Sequence, residues 1–206
     1  MLSAWKILNI NFHLAIRNNV FIATAYLLII PLIRGIANLD AVHAAECLEQ
    51  SVILIGIILI VPLAAAEQSK SIQEILYTKK MLQWIILLIR LILAFIMLII
   101  MIGVFAEIMV LNHCTFPYGP YVIGTMISAI ALGSVGFLIS VFTNSVVIGY
   151  LVSIGYYMFN FLGYISNESV FCLFAMETGA NITKILLSTL LIVITFIFKN
   201  GNKIFV

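Results

Sequence analysis

The sequence predicts an all-α integral membrane protein with six transmembrane helices. Of its 206 residues, 64% are hydrophobic and only 9% are charged, and the mean hydropathy is +1.24. A water-soluble domain of this length leaves too much surface exposed to accommodate that composition. The apolar runs are continuous rather than alternating, which favours helices over a β-barrel. Since one span takes about 20 apolar residues, we expect about six spans in a single transmembrane domain over residues 1–206, with no cleavable signal peptide.

The N-terminal residues 1–18 predict an amphipathic helix that lies at the membrane interface. Apolar and polar residues recur at helical spacing on opposite faces, and the polar face is basic. The apolar face comprises Leu2, Trp5, Leu8, Phe12 and Ile16, and the polar face comprises Lys6, Asn9, His13 and Arg17. The alternative is a frayed polar leader, but the two matched stripes favour the interfacial helix.

Six apolar segments follow, separated by short polar breaks. We expect spans near residues 20–38, 51–66, 82–111 and 182–198, with the fourth and fifth inside the stretch 114–167, which has no charged residue or histidine. Pro31 is placed to kink the first span. An acidic loop with Asp40, Glu46 and Glu49 separates the first two spans. The only polar break in 114–167 is Phe142–Ser145, so a tight hairpin is predicted there, and 113–120 is a turn-rich loop.

Positive charge is concentrated on one side of this topology. Six spans place the basic residues Lys6, Arg17, Lys70, Lys79, Lys80, Arg90, Lys199 and Lys203 on or near one side, and only Arg34 and Lys184 on the other. The second side carries most of the acidic residues. The positive-inside rule therefore predicts a multi-pass membrane protein with both termini in the cytoplasm.

The segment 67–81, between the second and third spans, is charged and short. With the residues after it, it reads EQSKSIQEILYTKKMLQWIILLIR. Ile72, Ile75 and Leu76 alternate at helical spacing with polar neighbours, which indicates an amphipathic helix on the cytoplasmic side. The alternative is a solvated loop whose charges only end the spans, but that does not explain the apolar spacing.

The residue pattern of this segment resembles the corresponding loop of type V ABC exporter permeases. A carboxylate at Glu67 is followed by Glu74, Leu76 and Thr78, and then by a basic residue at Arg90. An amphipathic N-terminal helix, six spans and a semi-polar insert before the last span complete the resemblance. The chain is most similar to small bacterial permeases that export peptides or bacteriocins.

The resemblance implies that 67–81 is a cytoplasmic coupling helix that docks into a separate ATPase subunit. The residues implied in ATPase coupling are Glu67, Lys70, Gln73, Glu74, Leu76, Thr78, Lys79, Lys80 and Arg90. The implied assembly is a homodimer of this chain with two ATPase subunits, which bind ATP and Mg. The implied cargo is amphiphilic, above all a hydrophobic or amphipathic peptide or toxin, and otherwise a lipid or drug.

Several kinds of chemistry have no motif in this sequence. It has no Gly-rich phosphate loop ending in Gly-Lys-Ser/Thr, no HExxH and no GxSxG. We therefore expect a transport subunit that is not itself an enzyme, with no cofactor or metal of its own and no nucleic-acid partner. Arg34, Arg90, Glu107 and Lys184 are predicted near span ends, where long side chains reach the interface, which argues against ion coupling. The alternatives are an ATP-independent immunity or binding protein, and a secondary carrier.

Small and polar residues mark the fourth and fifth spans. Gly124, Ser128, Gly133 and Gly136 recur near four-residue spacing, which favours close helix packing. The fifth span carries a polar and aromatic stripe that either faces a translocation path or forms a packing seam. The stripe comprises Ser153, Tyr156, Tyr157 and Asn160.

The insert 166–181 is predicted to be a short re-entrant helical element on the outer face. Its apolar residues, Phe171 and Phe174 among them, would not remain in water. It would act as an outer gate, or alternatively as a simple interfacial anchor.

The three cysteines, Cys47, Cys114 and Cys172, map to the outer side of the predicted topology. His43 and His113 lie beside the first two. A metal site or a disulfide is conceivable, but the odd count and irregular spacing favour small, half-buried loop residues.

Overall fold

The structure, a computed structural model, describes residues 16–65, 83–165, 169, 171–174 and 181–201. All regular elements in these ranges are helical, and no strand occurs among them. The helices are α1 Arg17–Arg34, α2 Ala41–Leu63, α3 Gln83–Leu111, α4 Tyr118–Thr143, α5 Val146–Phe161 and α6 Asn181–Gly201. This confirms the all-α class.

Three of the helices are long and apolar enough to cross a membrane. They are α2, α4 and the Ile85–Leu111 part of α3, while the apolar stretches in α5 and α6 are shorter. Many large apolar side chains also lie on the outside of the bundle; on α1, Phe21 is 77% exposed and Leu32 is 85% exposed. Such a surface is not stable in water, and the chain is therefore a membrane protein.

Helices that follow one another in the sequence run antiparallel, so α2, α4 and α6 all begin at the same end of the bundle. At one end, Asn38 N–H donates to Asn112 O at 2.9 Å and Thr115 N–H donates to Leu39 O at 2.9 Å. These bonds join the α1–α2 connection to the α3–α4 connection, and we call this the Asn38 end. The opposite end, where α4 turns into α5, we call the Asn144 end.

Helix α4 is the centre of the bundle and contacts α2, α3, α5 and α6. Glycines let the backbones touch. A Cβ atom at Gly133 would lie 2.6 Å from the carbonyl oxygen of Gly56 in α2, and one at Gly149 in α5 would lie 2.6 Å from that of Gly136. The small residues of α4 therefore serve close helix packing, as their spacing predicts.

The hairpin between α4 and α5 agrees with the prediction from Phe142–Ser145. Helix α4 ends at Thr143, and Asn144 follows with a left-handed φ of 50°. Asparagine accepts this conformation more readily than most residues. The third predicted span is also confirmed, since α3 ends at Leu111.

The predicted boundaries of the first two spans are wrong. Helix α1 covers Arg17–Arg34 rather than 20–38, because the backbone turns at Gly35 with a φ of 67°. The predicted acidic loop is mostly helical: α2 begins at Ala41, and Asp40 is its N-cap. Glu46, which is exposed, and Glu49, which is buried, both lie within α2, because a charged side chain does not by itself end a helix.

The described part of the predicted outer element is not helical. Residues Phe171–Phe174 form a turn in which Cys172 N–H donates to Ser169 O at 3.0 Å. The prediction of a helix is therefore wrong for this stretch, which we call the α5–α6 segment. The rest of 166–181 before α6, residues 1–15 of the interface helix, and 67–81 lie outside the described residues, although Arg17 belongs to α1.

Candidate functional site: a buried polar cluster at the Asn38 end

Lys184 is the centre of a polar cluster between α4, α6 and the α5–α6 segment. Its side chain is only 2% exposed. Its ammonium group donates to the carbonyl oxygen of Leu173 at 2.7 Å and to Ser128 Oγ at 3.1 Å. Ser128, on α4, donates in turn to the same Leu173 oxygen at 3.1 Å. One backbone carbonyl therefore joins side chains from two helices.

Asn160, near the end of α5, holds the other backbone group of the same residue. Its Oδ1 accepts from Leu173 N–H at 2.8 Å, and its Nδ2 donates to Tyr156 O at 3.0 Å. Leu173 is fully buried and Asn160 is 6% exposed. Both backbone polar groups of Leu173 are thus satisfied by side chains of the surrounding helices, as burial requires.

The opposite charge of the cluster comes from α2. Glu49 is 8% exposed and interacts electrostatically with Lys184. A buried ammonium group is stable only when it is paired and hydrogen-bonded, because leaving water costs several kcal/mol per ion. Glu49, Ser128 and the Leu173 carbonyl together supply that environment.

Glu49 lies where α2 departs from regular α geometry. The α-helical parts Ala41–Glu46 and Ile55–Ile60 are joined by a π turn, Cys47–Ser51, and a 3₁₀ turn, Val52–Leu54. Irregular backbone at membrane depth is tolerated only when protein covers its polar groups. Such interruptions are frequent at functional sites.

Two tyrosines cover this irregular backbone from either side. Tyr26 of α1 donates to Ser51 O at 2.9 Å, and Tyr157 of α5 donates to Gln50 O at 2.6 Å. Arg34, at the end of α1, donates to Gln50 Oε1 at 2.6 Å. The π turn is therefore fixed by α1 and α5.

The predicted path residues on α5 are engaged in contacts within the chain. Ser153 is fully buried and donates to Leu132 O at 3.3 Å, and the Tyr156 hydroxyl donates to Phe171 O at 2.6 Å. With Tyr157 and Asn160, they face α4, α2 and the α5–α6 segment. In this structure they form a packing seam, which is the alternative interpretation of the stripe.

The two predicted gate residues lie in different environments. Phe171 is 54% exposed. Phe174 is half-buried and packs edge-on against Tyr157, with ring centroids 5.8 Å apart and planes at 84°. The Phe174 side chain therefore packs on the bundle, whereas Phe171 is held through its backbone carbonyl by Tyr156.

All three cysteines are buried, and none of them is in a disulfide. The expectation of half-buried loop residues is wrong for Cys47, which lies within α2 and is 2% exposed, and Cys172 is 3% exposed. Cys114 donates to Ile36 O at 3.1 Å. Among the described residues, no group of three or more His, Cys, Asp or Glu side chains is placed to hold a metal ion.

A polar pocket of about 330 Å³ opens between α1 and the start of α2, beside the cluster. It is lined by Arg34, Gly35, Leu39, His43, Glu46, Cys47 and Gln50. At its edge, hydrogen bonds from the His43 side chain and backbone N–H hold the pKa of the exposed Asp40 carboxyl below its usual range. Asp40 therefore stays ionised as the N-cap of α2, where a negative charge is favourable.

Of the residues implied in ATPase coupling, only Arg90 lies among the described residues. Its guanidinium is 7% exposed and donates to Leu63 O at 3.4 Å, so it ties α3 to the end of α2. The expectation that Arg90 and Lys184 reach the membrane interface is wrong, since both are buried inside the protein. Arg34 and Glu107 are exposed.

Sequence reasoning missed Lys184, Ser128 and Glu49 as members of one site. The available signal was a lysine and a glutamate that interrupt otherwise apolar stretches of α6 and α2. Intramembrane ionisable residues are functional candidates by default. That both are buried in the same bundle, however, depends on how distant helices pack, which the sequence alone does not specify.

Comparisons of this chain with protein-family models, with curated proteins and with solved structures found no match.

Proposed function

We propose that this chain is the transmembrane subunit of an ATP-driven ABC exporter. It works as a homodimer with two separate ATPase subunits, and it moves an amphiphilic cargo, most simply a hydrophobic or amphipathic peptide, out of a bacterial cell. The proposal includes six spans, with the Asn144 end and both termini on the cytoplasmic side. The resemblance of the Glu67–Arg90 pattern to the coupling loop of type V exporters supports it.

The structural observation that carries the proposal is the bond from Arg90 to Leu63 O. These two residues belong to α3 and α2, the helices on either side of the coupling segment. Because they are tied together at the Asn144 end, a force applied to the segment between them would move both helices as one body. Coupling between an ATPase and a membrane pathway requires this kind of rigid connection.

The distribution of charge along the helices supports the proposed orientation. Arg90 and Lys199 lie toward the Asn144 end, whereas Asp40, Glu46 and Glu107 lie toward the Asn38 end. The bias of basic residues toward one end is what the positive-inside rule expects of the cytoplasmic face.

The direct test is a double substitution in the coupling segment, Glu74→Ala with Leu76→Ala. We expect a candidate ATPase subunit, expressed together with this chain, to copurify less with the double variant, because losing a few buried contacts at such an interface costs on the order of 2–4 kcal/mol of binding. Membrane insertion should be unchanged. The matched control is Glu107→Ala, which removes an exposed carboxylate from the opposite end of α3 and should leave copurification intact. If the double variant recovered as much ATPase as the unsubstituted chain, 67–81 would not be the coupling helix.

Substitution of Arg90 separates binding from coupling. In Arg90→Met the ATPase should still bind, because the side chain is buried away from the cytoplasmic surface, but export should fall by about tenfold or more. The reason is that loss of a bond from a charged donor costs about 1.5–3 kcal/mol. Arg90→Lys keeps a cationic donor and should recover part of the export. ATPase binding and export falling in equal proportion would contradict a coupling role.

A secondary carrier is the second candidate, favoured by one observation. Lys184 and Glu49 are buried ionisable groups in helices, and such groups mark ion pathways in transporters. Export from sealed vesicles driven by an imposed ion gradient, without ATP or an ATPase, would favour the carrier. An ATP-independent immunity protein would bind its toxin without moving it in either assay.

A further inference from the structure

We propose that Lys184 is a latch: it holds the α5–α6 segment closed over the Asn38 end of the bundle, and its release opens that end. A role of this opening in export rests on the proposed function. The latch itself rests on the contacts around Leu173.

Side chains from three helices make hydrogen bonds to a single residue, Leu173. The Leu173 carbonyl accepts from Lys184 of α6 and Ser128 of α4, and its N–H donates to Asn160 of α5. Leu173 itself has no exposed surface. The closed position of the segment therefore requires α4, α5 and α6 to be in register at the same time.

The bonds that hold the segment come from side chains, and this makes them reversible. A backbone ladder breaks only when its helix unfolds, but these bonds separate when one helix shifts against another. The countercharge, Glu49, lies on the irregular part of α2. A movement of α2 or α6 would weaken the attraction between Glu49 and Lys184, and an ammonium group freed from Leu173 and Ser128 would then gain by rehydrating at the Asn38 end. Closed and open states are thus two discrete arrangements of the same groups.

The chain carries a native reporter of this opening. Cys172 is not in a disulfide, is adjacent to Leu173 and is 3% exposed. In the full chain with Cys47→Ala and Cys114→Ser, Cys172 should react slowly with a membrane-impermeant maleimide. Lys184→Met should raise that rate by about tenfold or more, because the bond lost has a charged donor. The matched control is Thr189→Met, an exposed position on the same helix, at which the rate should not change.

Two further measurements separate the latch from general damage. Ser128→Ala leaves the bond between Lys184 and Leu173 and should give an intermediate rate, so the proposal is testable even if Lys184→Met does not fold. In a second background that keeps Cys114 and lacks Cys172, Lys184→Met should not change Cys114 labelling, because Cys114 is bonded to Ile36 O, outside the latch. Three results would each overturn the latch. Cys172 could react quickly even when Lys184 is present, Lys184→Met could leave the labelling rate of Cys172 unchanged, or Lys184→Met could speed the labelling of Cys114 as much as that of Cys172. If these labelling rates came out as expected but no ATPase subunit bound the chain, the latch would stand and only the proposed exporter function would be wrong.

Discussion

Gly133→Val should destabilise the bundle by about 3 kcal/mol or more. The first added atom would lie 2.6 Å from the Gly56 carbonyl oxygen and 2.7 Å from the end of the Ile60 side chain. Overpacking usually costs 1–3 kcal/mol, where side chains can rearrange to accept the new atoms. Here one of the obstructing atoms is backbone, so α2 and α4 must separate, and every contact between them weakens.

Thermal unfolding in detergent measures this effect with a probe that the protein already contains. The side chains of Cys47, Cys114 and Cys172 are buried and not in disulfides, so a thiol-reactive fluorophore gains signal as the bundle opens. The matched control is Gly155→Val in α5, where an added Cβ meets nothing within 4 Å inside the chain. Its melting temperature should stay near that of the unsubstituted chain. A similar small shift in both variants would mean that α2 and α4 are not in backbone contact.

Removing Glu49 or Lys184 alone should cost more stability than removing both. The two buried groups attract each other electrostatically, so a single variant loses that attraction while one buried charge remains. We expect a coupling free energy of about 0.5–3 kcal/mol between the two positions, whereas replacing both charges by apolar residues is often close to neutral. The double variant should therefore melt above at least one of the single variants.

A double-mutant cycle of melting temperatures tests this coupling. The control is Glu46→Leu, which removes an exposed carboxylate one turn earlier in α2 and should change stability by no more than about 0.5 kcal/mol. Strictly additive losses in the double variant would show that the two charges stabilise the fold through other partners.

Long apolar runs and turn residues could be located from the sequence because their signals are local. The extent of α3 and the turn at Asn144 follow from continuous hydropathy and from one polar break between two uncharged helices. The glycine spacing of α4 predicts close packing, since only small residues let backbones meet. In each case the sequence pattern lies in the same few residues as the structural feature that it predicts.

The polar positions could not be placed in this way because their environment is set by distant segments. Glu49 and Lys184 are 135 positions apart in the sequence, and each alone resembles a charge at the end of a span. Their burial depends on α4 and the α5–α6 segment, which cover them. The start of α2 was misjudged for the same reason: Glu49 and Gln50 read as a loop, although the protein around them satisfies their polar groups.

The π turn in α2 also shifts the angular phase of that helix. A π turn places one extra residue in its hydrogen-bonded ring, and one residue corresponds to about 100° of rotation around an α-helix. The faces that α2 presents before Cys47 and after Ser51 are therefore out of phase with a single continuous helix. The 3₁₀ turn at Val52–Leu54 winds the chain more tightly and takes back part of that shift. One chain segment can thus offer the carbonyl oxygens of Gln50 and Ser51 to tyrosines of two other helices and still present Gly56 to the backbone of α4 further along.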